Sequence, residues 1–231
     1  MVRTKQLVKT FKNGDVLTPV LKGIDFAASQ GEWVAIMGRS GAGKSTFLYQ
    51  MSLLDDPTSG EVVIDGHDTH GMSAKEKMQF RLSKFGFVFQ DYALLPELTA
   101  LENVALPLLM QGLPKADAYG RALSAIERAD LGHRTGNLPS QLSGGEQQRV
   151  SIVRAVAHNP KILFADEPTA NLDNDSAKRI MEIFTDLHKA GQTIIMVTHE
   201  DQYAKLTQRI VQLDDGRIIS EERVKAEPRA N

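Results

Sequence analysis

Apolar residues in this chain fall into short dense runs in some places and into helical spacing in others, and the alternation between the two sets the expected elements. Residues 33–37 are an unbroken apolar run behind Gly31-Glu32, which predicts a buried strand. That run ends in a glycine-rich loop over 38–43, and 44–54 reads as a helix. Asp55-Asp56-Pro57 and Ser59-Gly60 are turn signals ahead of a second short strand over 61–65. From about 73 to 157 the pattern is mostly helical. Thr99 and Glu102 fit a capping box before an apolar run that Pro107 must interrupt or kink. A second helix is expected over 115–129, and a third begins at Ser143 and ends before Asn159-Pro160. Strand character returns over 162–165 and 193–197, separated by a helix over 174–190. A short helix follows, then runs at 210–213 and 217–220 around Asp214-Asp215-Gly216, a hairpin signal.

Strands alternating with helices predict an α/β fold with a mainly parallel sheet covered by helices. Residues 1–220 are expected as one domain with a helical lobe inserted at about 89–157, and 221–231 as a loose polar tail containing Pro228.

Composition narrows the function. The chain of 231 residues is long enough to bury a real core, and its formal net charge of −2 gives no excess of positive charge to neutralise a phosphate backbone. No nucleic-acid partner is expected. The absence of cysteine excludes disulfide frameworks, thiolate zinc sites and cysteine nucleophiles. No stretch approaches the roughly 18–20 apolar residues that cross a bilayer, and the first twelve residues have charge without an apolar run behind it. A soluble cytosolic chain is expected, with no direct membrane insertion, so that any membrane role comes through another subunit.

The chemistry begins at Gly38-Arg39-Ser40-Gly41-Ala42-Gly43-Lys44-Ser45-Thr46, which fits G-x-x-x-x-G-K-[ST] and sits between a predicted strand and a predicted helix. Its glycines let successive backbone N–H groups turn inward around a polyphosphate, and the helix start adds its positive dipole end. Lys44 is expected to reach the β- and γ-phosphates, and Ser45 to offer its hydroxyl to Mg²⁺. Downstream, the apolar run 162–165 ends in Asp166 and Glu167. Acids at the C-terminal end of a parallel strand lie where doubly wound sheets bind ligands. Asp166 is expected to hold Mg²⁺, directly or through water, and Glu167 to face the attacking water as general base.

These features fit any P-loop nucleotidase. A third motif narrows them: Leu142-Ser143-Gly144-Gly145-Glu146-Gln147-Gln148-Arg149. Ser143 and Glu146 make a capping box, and Gly144-Gly145 leave the helix start bare of side chains, so N–H groups, a hydroxyl and a dipole form an anion site. The eight residues resemble the signature of ATP-binding-cassette (ABC) ATPases. The resemblance implies a RecA-like P-loop NTPase core with a mainly parallel sheet, an antiparallel β subdomain and an inserted helical lobe. It also implies a head-to-tail dimer of two copies, in which the signature of each closes over the ATP on the other's P-loop.

Other positions match the same family in order. Phe11 matches the aromatic that stacks on adenine, with an ordinary core aromatic at a strand end as the alternative. Gln90 matches the glutamine that touches Mg²⁺ or water at the join to the helical lobe. Asp173 matches the aspartate that bridges the two cassettes, and it also reads as a cap for the following helix. His199 matches the switch histidine near the γ-phosphate.

Stretches 34–38, 54–60 and 165–173 are similar to the branch that includes the lipoprotein-releasing (LolD), macrolide-exporting (MacB) and cell-division (FtsE) ATPases, with Ala170 where that branch more often has Gly. The resemblance implies an ATPase subunit working on a separate permease, peripheral to the cytoplasmic face of the cell membrane. Extrusion or release of lipoprotein, peptide or drug is the first expectation, and mechanotransmission in cell-wall remodelling is the alternative. A soluble ABC ATPase of DNA repair or translation fits less well, since coiled-coil arms, zinc cysteines, a second cassette and a basic excess are all missing. An N-K-x-D motif for guanine is missing too.

Overall fold

The computed structural model describes residues 1–224. In chain order the elements are β1 (Val2–Asn13), β2 (Val16–Ala28), β3 (Trp33–Met37), α1 (Lys44–Met51), β4 (Ser59–Ile64), β5 (His67–Asp68), α2 (Ala74–Lys84) and β6 (Phe85–Val88). They continue through α3 (Ala100–Met110), α4 (Lys115–Arg128), α5 (Gly144–Val156), β7 (Ile162–Asp166), α6 (Asn174–Lys189), β8 (Thr193–Val197), α7 (Asp201–Ala204), β9 (Arg209–Asp214) and β10 (Arg217–Arg223). The chain divides into two compact units, Met1–Lys77 with the residues from His188 on, and Met78–Leu187.

In the first unit an antiparallel sheet has the order β2-β1-β4-β5. Beside it, β3 runs parallel to both β8 and β9, with Ala35 opposite Met196 and Ile210, and β10 turns back antiparallel on β9. All five residues of β3 and all five of β8 are buried, as continuous apolar runs in parallel strands require. Helix α1 packs on β1, β2 and β8. Its Phe47 meets Phe26 edge to face, ring centroids 5.4 Å apart.

The second unit pairs β6 parallel to β7, with Phe87 opposite Phe164. Its helices bury a core of Val104, Leu108, Ala122, Ile126, Leu131 and Val150, drawn from α3, α4, α5 and the turn after α4. Thr99 caps α3 in a full capping box with Glu102, and Ser143 does the same for α5 with Glu146.

Four local expectations change. Helix α1 stops at Met51 rather than Leu54, because Leu53 takes a left-handed backbone with φ 57° and ends the turn. Of the two effects expected at Pro107, interruption does not occur: helix α3 runs through it to Met110, since proline removes one N–H while Val104, Ala105 and Leu108 stay buried around it. Strand β10 continues to Arg223, so Glu221–Arg223 are ladder residues; of the expected tail, 225–231 lie outside the described residues. The two longest strands, β1 and β2, escape a period-two reading because the register shifts between Thr4 and Leu7, where Gln6 turns left-handed and donates to Asp25 through both its backbone N (2.7 Å) and Nε2 (2.6 Å).

The helical core predicts its own sensitivity. Leu108→Ala should cost about 2–5 kcal/mol, read as a lower urea midpoint at unchanged m-value.

Candidate functional site

The glycine-rich loop leaves β3 at Gly38 and enters α1 at Lys44. Gly43 stands at the N-cap of α1 with φ 96°, a left-handed conformation that a side chain disfavours, and its position would set a Cβ 3.1 Å from Leu21 and the Val20 carbonyl. No side chain caps this helix, so its first N–H groups stay directed at the loop interior. Lys44 is buried and folds back on its own loop, its Nζ donating to the carbonyls of Gly38 (3.0 Å) and Arg39 (3.1 Å). Backbone bonds from Ala42 N to Arg39 O (3.1 Å) and from Phe47 N to Gly43 O (2.8 Å) fix the curl. Gly216, between β9 and β10, donates to Ala42 O at 3.1 Å and accepts from Lys22 N at 2.9 Å, clamping the loop to the hairpin and to β2. Ser40 and Gly41 are exposed, and Ser45 and Thr46 are half-buried on the first turn of α1.

His199 lies two residues past β8, whose last pair with β3 joins Val197 to Ile36. The parallel pairing sends the loops after β3 and β8 off the same edge, and Thr198 N donates to Ile36 O at 3.2 Å. His199 is exposed there. Phe11 sits on β1 opposite Thr18 and is 45% exposed, which removes it from the core. The Lys9 ammonium lies 4.9 Å from the centroid of that ring and is itself paired to Asp55 at 2.7 Å.

In the second unit β7 carries Asp166 to its buried C-terminal end, and Glu167 follows with φ 43°. A non-glycine residue held left-handed directly before proline is strained by roughly 1–3 kcal/mol. The turn is closed by Ala170 N to Glu167 O (3.2 Å) and Leu172 N to Thr169 O (3.1 Å). Asp173 then caps α6, its Oδ1 accepting from the backbone N of Ser176 (2.9 Å) and Asp175 (3.1 Å) and its Oδ2 from Ser176 Oγ (2.7 Å). Those bonds hold the Asp173 carboxyl below the usual carboxylate range.

The signature turn packs against these same loops. A Cβ on Gly144 would stand 3.0 Å from Tyr92 Oη, and one on Gly145 2.8 Å from Ser176 Oγ, so a side chain at either position would require those groups to shift. Ser143 Oγ accepts from Glu146 N at 3.3 Å, and its hydroxyl also bonds the Glu146 carboxylate, closing the cap. Gln90 is exposed, and its carbonyl accepts from Asn171 Nδ2 at 3.0 Å. Arg154 donates to the carbonyls of Ala93 (2.6 Å) and Tyr92 (2.9 Å), both left-handed residues, and burial pulls its guanidinium down to about 10, still charged at neutral pH. One unit thus brings together Gln90, Ser143, Gly144, Gly145, Asp166, Glu167 and Asp173, and the other holds Phe11, the loop 38–46 and His199.

The family description "ABC transporter" matches residues 21–170. The chain belongs to the ABC transporter family. It is 48% identical over 202 residues to the lipoprotein-releasing system ATP-binding protein LolD of Aquifex aeolicus, covering 87% of this chain and 90% of that protein. It is 44% identical to the macrolide export ATP-binding/permease protein MacB of Agrobacterium fabrum, covering 96% of this chain but only 34% of that protein. Among solved structures, the dimeric cassette MJ0796 in a post-hydrolysis state with ADP and Pi is 41% identical and superposes with a TM-score of 0.92, covering 98% of this chain and all of that one. The chain is accordingly an ABC ATPase cassette of the LolD and MacB type, with ATP and Mg²⁺ as its nucleotide and cation.

The first unit offers the Ser45 hydroxyl, and the second offers the buried carboxylate of Asp166 and the amide of Gln90; each is an oxygen donor of the kind a hard cation takes. Among the described residues no group of three His, Cys, Asp or Glu could hold a metal alone, and Mg²⁺ shared with phosphates needs none. No helix among the described residues is long and apolar enough to cross a membrane.

Arg154, Asn171 and Gln148 hold the site loops and escape the sequence reading. Their partners lie about 20 to 80 positions away, and the only local signal is a polar residue at a core position of a helix, as at Gln148.

Electrostatics at the signature cap give a pH test. Burial raises the Glu146 carboxyl, but bonds from Ser143 and Arg134 outweigh it and leave the group below 4.5. A depressed folded value means stability that is present above 4.5 and lost as pH falls through the folded value. The stability gap between the native chain and Glu146→Gln should be flat at neutral pH and shrink below pH 4.5, by urea unfolding across pH.

Proposed function

We propose that this chain is the ATPase subunit of a transporter that extrudes or releases a lipoprotein, peptide or drug substrate through a separate membrane permease. Identity to the lipoprotein-releasing ATP-binding protein over nearly the whole of both chains carries that reading. The loop 38–46 holds the triphosphate through backbone N–H groups, with Lys44 turning from its loop carbonyls to the β- and γ-phosphates and adenine against Phe11. Ser45, Asp166 and Gln90 would hold Mg²⁺, whose charge would screen the phosphates. Ser143, Gly144 and Gly145 of a second copy close over the γ-phosphate, and Asp173 bridges the pair.

Glu167 takes a proton from water, whose oxygen attacks the γ-phosphorus while the bond to the β–γ bridging oxygen breaks. ADP and phosphate result. His199 donates to the γ-phosphate and holds the water in line. Loss of the γ-phosphate removes the anion that the signature grips, and the dimer opens. The helical stretch around 90–113 passes that motion to the permease.

Three substitutions test the assignment. Glu167→Gln should keep ATP binding, accumulate an ATP-bound dimer by light scattering and lower turnover about 10²–10⁴-fold; a wild-type rate removes Glu167 as base. Lys44→Ala should abolish nucleotide binding by calorimetry, and unchanged affinity would refute the cradle. Ser143→Arg should spare ATP binding by the single chain and block dimerisation, so a normal ATP dimer would rule out the head-to-tail arrangement.

The cargo is tested by affinity capture of Glu167→Gln from detergent-solubilised membranes with ATP. A permease with a large extracytoplasmic domain supports extrusion. A small permease with wall hydrolases or division proteins replaces it by mechanotransmission, and the absence of any membrane protein overturns both.

A further inference from the structure

Left-handed and directly before a proline, Glu167 adopts a backbone that its own sequence disfavours. A contact from outside the turn helps to hold it. Gln148, on the signature helix α5, is fully buried, and its Nε2 donates to the carbonyl of Pro168 at 2.6 Å. A carbonyl only accepts, so this bond fixes which way the amide faces. The other end of the side chain is unrewarded: Gln148 Oε1, and Ser151 Oγ one turn along, are buried with no hydrogen-bond partner among the described residues. A helix that needed only a core filler at 148 would be better served by methionine, which fills the same volume without an orphan oxygen.

We infer that Gln148 is a positioning residue for ATP hydrolysis, holding the Glu167-Pro168 turn so that the Glu167 carboxylate faces the reacting water. The inference rests on the reading of Glu167 as the general base. It also gives α5 a second task. The helix starts at Ser143, whose cap is the proposed contact to the partner's nucleotide, and five residues later it grips the turn that carries this chain's own base. Two turns beyond, Arg154 grips the backbone after Gln90 in the same way. A shift of the signature end is therefore felt at Glu167 through one rigid helix and one hydrogen bond.

The test uses the full chain with Gln148→Met, close in volume and lacking the donor. Single-turnover hydrolysis should fall about 10–100-fold, as a misplaced base predicts, while ATP affinity stays within about twofold. In the Glu167→Gln background, which cannot use a well-placed base, adding Gln148→Met should change the residual rate by less than about twofold. ATP-dependent dimerisation of that double variant should match Glu167→Gln alone. An unchanged rate in Gln148→Met overturns the inference, and so does a multiplicative loss in the double variant, which would mark damage independent of Glu167. If Gln148→Met does not fold by its urea transition, Gln148→Glu keeps shape and polarity but replaces the donor, and the same cycle applies. A wild-type rate for Glu167→Gln by itself refutes the base reading first, and this inference falls with it.

Discussion

Lys44 folds back on the loop that carries it, and its bonds to the carbonyls of Gly38 and Arg39 determine what the first unit can do. They fill the centre of the curl with positive charge before any phosphate arrives. The neighbouring backbone cooperates: Gly43 leaves the first turn of α1 without a side-chain cap, which keeps the helix start open to an anion. The clamp from Gly216 to Ala42 keeps the curl from relaxing, because it ties the loop to a hairpin and through Lys22 to β2. A preformed cradle of this kind is ordered when the chain folds, which leaves more of the phosphate interaction for binding and reaction.

The second unit solves a different problem, the fixing of loops that regular structure does not reach. Helix α5 solves it with buried polar side chains. Gln148 holds the turn after β7, Arg154 holds the left-handed pair Tyr92 and Ala93, and Asn171 reaches the Gln90 carbonyl from the next loop. Gln148 takes a fully buried place that an apolar side chain could fill, so there the arrangement fits a need for position more than for stability. The signature glycines belong to the same economy of space. Tyr92 and Ser176 approach so closely that a side chain on either glycine would displace them, and the bare surface that results is also what lets an anion reach the helix N-terminus.

What the sequence disclosed follows from the range of the interactions involved. The loop 38–46 and the caps at Thr99 and Ser143 are local, written within a few residues, and their geometry was readable in advance. The buried strands were readable too, since a parallel strand covered on both faces is an unbroken apolar run, as in β3 and β8. Strands β1 and β2 were not, because a bulge at Gln6 breaks the alternation on which a half-buried strand depends. Phe11 could be assigned to the core or to a ligand from its type alone, and its exposure removes it from the core. Gln148 and Arg154 were unreadable for the opposite reason: their helix register is clear, but their partners are chosen by tertiary contact.

At one short segment a strained backbone and orphaned polar atoms lie side by side. Glu167 carries an unfavourable backbone, and Gln148 Oε1, Arg149 Nε and Ser151 Oγ lie buried without partners on the helix beside its turn. A chain selected for stability alone would relax the first by placing glycine at 167 and remove the others by placing apolar residues on α5. Glycine at 167, however, has no carboxylate, and an apolar residue at 148 has no donor for Pro168. Stability alone would therefore not place a left-handed carboxylate at 167 or a buried donor at 148, and the well-packed helical core around Leu108 and Ile126 supplies stability that offsets both.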